Sequence, residues 1–227
     1  MLYYLPDLQH ANLPEQTEVQ NKICGIPWGV PASKWPKCKQ CQKSQTLLAQ
    51  FIHHPQILNL GREGRVLNVF MCCNFESDGC ETWDAASGAN ACFILEPEAL
   101  EDHLSAIPAD NPFVESQGLV VGWFEQDDGF STAETKAFYH AEEYFALDDE
   151  KLFEVSSTTR LGGVPDWIQS PEDVPENCRF VGQLNEPYAK VSGDCGIAFG
   201  DYGRGYIFLE DTHANAVPKG YFFWQSS

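Results

Sequence analysis

Ile23-Cys-Gly-Ile-Pro-Trp28 and Leu161-Gly-Gly-Val-Pro-Asp-Trp167 are two versions of one short phrase. Each is followed by a proline-rich bend and then by an apolar run carrying a glutamine, Thr46-Leu-Leu-Ala-Gln-Phe51 in the first case and Phe180-Val-Gly-Gln-Leu184 in the second. Further out, Val66-Leu-Asn-Val-Phe-Met71 matches Gly205-Tyr-Ile-Phe-Leu209, and Ala91-Cys-Phe-Ile-Leu95 matches Tyr221-Phe-Phe-Trp-Gln225. The matched positions stay 130 to 138 residues apart, so the chain reads as an internal duplication. Short aromatic and β-branched runs broken by Gly, Pro and Asn predict antiparallel strands. The expected fold is therefore α+β and mainly antiparallel β. It is one compact unit over 1–227, with repeat A at 20–95, a mixed acidic insert at 96–154 and repeat B at 155–227.

Helices are expected only in the connecting segment. Pro97 opens Glu98–Ala106, proline being tolerated in a first turn. Ser131-Thr-Ala-Glu134 reads as a capping box ahead of a helix from Thr135 to Phe145, with Phe138, Tyr139 and Phe145 as its core stripe. Between them, Gly118-Leu-Val-Val-Gly-Trp-Phe124 predicts a buried strand.

The chain has 227 residues, 43% of them hydrophobic, which suffices for a sizeable core. The start, Met1-Leu-Tyr-Tyr-Leu-Pro6, has no signal-peptide pattern and no stretch is long and apolar enough to span a bilayer, so a cytoplasmic location is expected. Net charge is −19, which disfavours nucleic-acid and anionic-membrane partners and favours a basic protein. Residues 96–154 hold 16 acids and 2 bases, so this one segment carries most of the acidity. It reads either as a solvated face or as a docking surface.

Nine cysteines without a leader point to a reducing compartment and to metal ligation rather than disulfides. Cys38-Lys-Gln-Cys41 is a Cys-x-x-Cys turn, and Cys72-Cys73 with Cys80 follows about thirty residues on. Two thiolates from each turn suit a tetrahedral Zn²⁺ with Zn–S of about 2.3 Å. The expected ligands are Cys38, Cys41, Cys72 and Cys80, with Cys73 as substitute for Cys72, because consecutive side chains on an extended segment face opposite ways. Four thiolates close the site, making the zinc structural. Cys24, Cys92, Cys178 and Cys195 read as small buried apolar side chains. A redox role for Cys38 and Cys41 is disfavoured by the lack of a following helix in a βαβ context.

Gly-x-Pro-Trp, the Cys-x-x-Cys knuckle, Leu-Leu-Ala-Gln, and a strand ending in Cys-Cys with a further Cys together resemble the N-terminal region of the programmed cell death protein 2 family. The paired halves and the ending Gly-Tyr-Ile-Phe-Leu…Phe-Phe-Trp-Gln resemble the bacterial YwqG-like proteins. The resemblance covers roughly 23 to 95 and 160 to 227 and leaves the acidic middle unmatched. It implies a duplicated β-rich fold. It also associates bacterial relatives with polymorphic toxin systems and eukaryotic relatives with a basic ribosomal protein, and it supplies no catalytic residues.

Enzyme motifs are weak. His140-Ala-Glu142 imitates half of a zinc deaminase, but the Cys-x-x-Cys lies upstream rather than downstream. A metal-dependent hydrolase acting through His140 and Glu142 is the enzymatic competitor, and no Gly-x-Ser-x-Gly, His-Glu-x-x-His or phosphate-loop motif supports another. His53, His54, His103 and His213 carry no ligand spacing. Lys34, Lys37, Lys39 and Lys43 beside Trp28 and Trp35 could offer a nucleic-acid surface, although lysines around an exposed knuckle also serve solubility.

These readings converge on a non-enzymatic, zinc-containing binding protein, most concretely a bacterial immunity protein that covers the substrate groove of a basic toxin such as a nuclease. The residues expected to meet it are the carboxylates Glu125, Asp127, Asp128, Glu142, Glu143, Asp148 and Asp149, with Trp123 and Phe130 as aromatic anchors. The alternative is a chaperone or assembly factor for a basic ribosomal protein.

Overall fold

A computed structural model describes residues 1–12, 16–74, 79–111, 116–153, 155–171, 177–185, 199–213 and 216–227. Its strands are β1 Leu2–Asn12, β2 Lys22–Cys24, β3 Thr46–Ile52, β4 Val66–Met71, β5 Asn90–Leu95, β6 Ser116–Asp127, β7 Arg160–Gly162, β8 Cys178–Asn185, β9 Arg204–Glu210 and β10 Gly220–Gln225. They form one antiparallel sheet in the order β10-β9-β8-β7-β1-β6-β2-β3-β4-β5. All six strands expected from the paired apolar runs are present, and the fold is mainly antiparallel β.

The order is symmetric about the β1–β6 pair. On one side β2 to β5 follow in sequence, and on the other β7 to β10 do the same. The ladders β3–β4 and β8–β9 slip at equivalent places, between Leu47 and Ala49 and between Phe180 and Gly182. Such a bulge bends a strand and increases its twist. The sheet curls until β5 and β10 face each other, where Asn90 Nδ2 donates to the Phe222 carbonyl at 3.1 Å. Gly220 fits this seam because a Cβ there would lie 2.4 Å from Cys92 Sγ.

Alternation along the strands sorts side chains into an interior and two outer layers. Ile23, Leu48, Phe51, Leu67 and Val69 from one flank meet Leu161, Val181, Ile207, Leu209 and Phe222 from the other in a shared core. Outside the second flank, Trp167 stacks on Phe208 and Phe223, with ring centroids 6.0 and 6.1 Å apart. Outside the first, Phe70 stacks on Phe93 at 5.8 Å and takes Trp35 edge-on.

Each flank begins with a similar buried network. Lys22 Nζ donates to the Ile26 carbonyl, and Gln50 Oε1 accepts from Trp28 N at 3.0 Å. Correspondingly, Arg160 Nη2 donates to the Val164 carbonyl, and Gln183 Oε1 accepts from Asp166 N at 3.1 Å. The turns that return these carbonyls need left-handed backbone, supplied by Gly25 (φ 78°) and Gly163 (φ 71°). A turn glycine and a basic side chain thus recur in each flank, but the repeated glutamine touches the basic group only in the second, where Arg160 Nη2 donates to Gln183 Oε1 at 3.5 Å; Lys22 Nζ donates instead to Gln16 Oε1 at 2.8 Å.

Several expectations need correction. β1 is absent from the sequence reading, since Pro6 interrupts its pattern. Proline is tolerated because β7 pairs with β1 only at Tyr3 and Tyr4, leaving Pro6 beyond that ladder. The strand expected at Gly118–Phe124 exists within β6, but Val121 and Phe124 are more than half exposed. The segment 96–154 therefore contributes one of the two central strands rather than only a connection. Glu98–Ala106 is not a helix; a 3₁₀ turn covers Pro97–Ala99 alone. The helix expected at Thr135–Phe145 breaks at His140 into a 3₁₀ turn, Glu134–Tyr139, and a short helix α1, Ala141–Tyr144. The Phe138 carbonyl, which would serve Glu142 in a continuous helix, accepts from Trp167 Nε1 at 2.8 Å instead. Phe138 is buried as expected, whereas Phe145 is 67% exposed. A second helix, α2, spans Asp149–Phe153.

Lys22 gives the fold a pH dependence. Burial lowers its ammonium pKa to about 7, from an ordinary value of about 10.4. Between those values the unfolded chain binds more protons, so this residue makes stability rise with pH, and the contribution is flat below about pH 7. Relative to Lys22→Met, urea unfolding of the wild type should gain on the order of 1–2 kcal/mol between pH 7 and 8.5. Parallel pH profiles for the two proteins would show that Lys22 remains charged.

Candidate metal centre

The Cys38–Cys41 turn is the tip of a small hairpin whose arms meet at Lys37 and Ser44. Cys38 N donates to the Lys43 carbonyl at 2.9 Å, and Gln42 N returns to the Cys38 carbonyl at 2.9 Å. Gln42 takes left-handed backbone (φ 63°), which tightens the turn. Cys72 follows the end of β4 and is fixed to the start of β5 by its N–H to the Ala89 carbonyl, 2.8 Å. Cys80 comes from the loop between β4 and β5.

The Sγ atoms of Cys38, Cys41, Cys72 and Cys80 all lie within 4.8 Å of one another. Cys41 and Cys72 are 3.5 Å apart, too far for a disulfide. Four sulfurs placed tetrahedrally around a metal at about 2.3 Å stand about 3.8 Å apart, so the cluster is the right size. Cys38 is fully buried, Cys72 and Cys80 nearly so, and Cys41 is half-buried. These four residues could hold a metal ion, and no other group of three or more His, Cys, Asp and Glu converges so among the described residues.

Burial works against the Cys41 thiolate, but hydrogen bonds from the Lys43 N–H, Cys72, Asn74 and Cys80 outweigh it and bring the thiol down to about 7. Burial pushes Cys72 upward. The contribution of Asn74 was not read from the sequence, where an asparagine beside two cysteines carries no spacing signal. Cys73 turns the other way, into the interior core beside Cys24, and is not part of the cluster. Burial pushes Cys24 up to about 12 and Cys178 up to about 11, as suits buried thiols. Cys92 is half-buried in β5, and Cys195 lies outside the described residues.

The family model described as "Domain of unknown function (DUF1963)" matches residues 21–222. The chain belongs to this family. The match takes in both flanks and the four clustered cysteines of this DUF1963 chain, together with the segment between them. No curated protein matches its sequence.

The residues expected to meet a partner separate into two groups. Glu125, Asp127, Glu142, Glu143, Asp148 and Asp149 are exposed. Asp128 and Phe130 are not available: Phe130 belongs to the outer core of the second flank, and Asp128 accepts from Phe130 N and Val164 N, both at 3.0 Å, and from the Met1 amino group. Trp123 packs inward, 6.3 Å from Phe51, and only its remaining edge is exposed. Phe124 and Phe145, at 56% and 67% exposure, are the aromatic side chains that this region shows to solvent. Trp28 and Trp35 are buried, so the knuckle lysines have neither tryptophan beside them on the surface.

The purified chain is expected to contain a single metal ion per molecule by elemental analysis. Cys38→Ser and Cys72→Ser should lose it and unfold at lower denaturant, by several kcal/mol, because metal binding contributes directly to folding. Cys73→Ala should keep full metal content. Metal loss in Cys73→Ala with retention in Cys72→Ser would reverse the assignment.

Proposed function

We propose that this DUF1963 chain is a non-enzymatic binding protein whose cysteine cluster holds a structural zinc ion. Four thiolates favour zinc or iron–sulfur chemistry over hard cations, and a closed tetrahedral set leaves no position for water. Reduced cysteines suit a cytoplasmic location. The two flanks are read as copies of one unit, a reading supported by the buried cation network found in each.

The most concrete form of the proposal is a YwqG-like bacterial immunity protein that neutralises a basic toxin such as a nuclease. The observation carrying it is the exposed carboxylate set Glu125, Asp127, Glu142, Glu143, Asp148 and Asp149, accompanied by exposed Phe124 and Phe145. Carboxylates would take places used by substrate phosphates and speed encounter, while the aromatic rings would slow release. The four-cysteine cluster also favours a second reading, a chaperone for a basic ribosomal protein, through the resemblance of the knuckle to the programmed cell death protein 2 family.

A pull-down from the native host with a salt series separates the two. Recovery of a basic toxin domain, lost as salt rises, supports immunity; recovery of a ribosomal protein supports the chaperone. For either partner, combined Glu142→Lys, Glu143→Lys, Asp148→Lys and Asp149→Lys should weaken binding by about tenfold or more. Unchanged affinity in this variant would remove the acidic face from the mechanism.

A further inference from the structure

The central ladder leaves one edge of β6 open. β2 pairs with β6 only from Gln117 to Leu119, and from there to Asp127 β1 is the sole strand neighbour of β6 among the described residues. The slip after Asp7 gives β6 an extra residue, Val121, and such a bulge bends a strand away from its earlier course.

Which backbone groups point to that edge follows from hydrogen bonds at the end of the ladder. Asp128 N donates to the Met1 carbonyl at 3.0 Å, and on the other side of β1 Gly163 N donates to the Leu2 carbonyl at 3.0 Å. Bonded and non-bonded pairs alternate along an antiparallel ladder. Gln126, Phe124 and Gly122 therefore exchange bonds with β1, while the N–H and C=O groups of Trp123, Glu125 and Asp127 point outward. Pro6, opposite Trp123, falls on an outward position of β1, where its missing N–H costs no ladder bond.

Edge strands are usually guarded, most often by lysine, proline or a covering segment. Gly122–Asp127 holds neither lysine nor proline, and Val121 and Phe124 are 59% and 56% exposed. The charges here are all of one sign: Glu125 and Asp127 on β6 and Asp7 across the ladder, with no lysine or arginine on either strand. The Met1 amino group offsets Asp127 from 2.9 Å, so Glu125 carries most of the attraction. A second copy pairing antiparallel about Glu125 would set two Glu125 carboxylates opposite each other, which is destabilising. A basic strand gains from the same charges.

We propose that Trp123–Asp127 takes up an extended segment of a basic partner as an added strand, with Lys or Arg at alternate positions facing Glu125 and Asp127 and apolar residues between them facing Phe124. The inference rests on the basic-partner reading above and adds the mode of binding to it. Main-chain pairing supplies the affinity, and the alternate side chains select the sequence.

The test is amide hydrogen exchange by NMR on the full chain, with a short blocked peptide of alternating valine and lysine as the probe. In the chain alone, Phe124 and Gln126 should exchange slowly and Trp123, Glu125 and Asp127 rapidly, and saturating peptide should slow the second set by about tenfold or more. N-methylation of the lysine amides, which removes the N–H groups facing β6, should weaken binding by about tenfold, whereas N-methylation of the valine amides on the far edge should not. Glu125→Pro should weaken the peptide more than Glu125→Gln, since both lose the charge and only proline loses the N–H. Slow exchange of Trp123, Glu125 and Asp127 in the chain alone, or no binding at millimolar peptide, would overturn the proposal. Equal affinity for the two methylated peptides, lost as salt rises, would overturn the strand pairing and leave a basic partner in place. Equal affinity for a valine–glutamate peptide would overturn both.

Discussion

The β1–β6 ladder joins the two flanks of the sheet, and the remaining strands take their positions from it. Eleven residue pairs, from Leu2 opposite Asp127 to Asn12 opposite Ser116, run along it with a single slip after Asp7. β1 precedes the first flank in sequence but pairs with β7 of the second, while β6 precedes the second flank but pairs with β2 of the first. Each flank is therefore built on a strand that the chain supplies from the other side. This exchange ties two short sheets, each marginal alone, into one core that both flanks fill.

The sequence disclosed elements whose signal is local. β3, β4, β5, β8, β9 and β10 each announce themselves by an apolar run bounded by turn residues, and the cysteine cluster by the spacing of Cys38, Cys41, Cys72 and Cys80. Alternation allows only one of Cys72 and Cys73 to face the hairpin; which one it is, Cys72, only the structure decides. β1 was hidden because proline ordinarily argues against a central strand, and its tolerance here depends on how far β7 extends, which no local pattern encodes.

Other differences arise from tertiary competition. The helix expected after Ser131 has its capping pair, with Glu134 Oε2 accepting from Ser131 N at 2.8 Å, yet Trp167 takes the Phe138 carbonyl and stops it at His140. Asp128 sits in an acidic segment and reads as surface, but it is the acceptor that fastens the start of the second flank to Val164. Composition identified which segment is acidic. It could not distinguish the carboxylate that organises a turn from those that face solvent.

The cysteine cluster and the seam between β5 and β10 share one short piece of chain. Cys72 N donates to the Ala89 carbonyl and Lys39 N to the Gly88 carbonyl at 3.0 Å, while Gln45 Nε2 donates to that same Gly88 carbonyl. Gly88 admits this approach because a Cβ there would stand 2.4 Å from Lys39 Cδ. A metal held by Cys38 and Cys72 would therefore clamp the cysteine hairpin to the segment Gly88–Asn90 that leads into β5. Four thiolates would leave such an ion no position for water, so what it would add is the spacing between hairpin and strand, set through backbone geometry and not through chemistry at the ion.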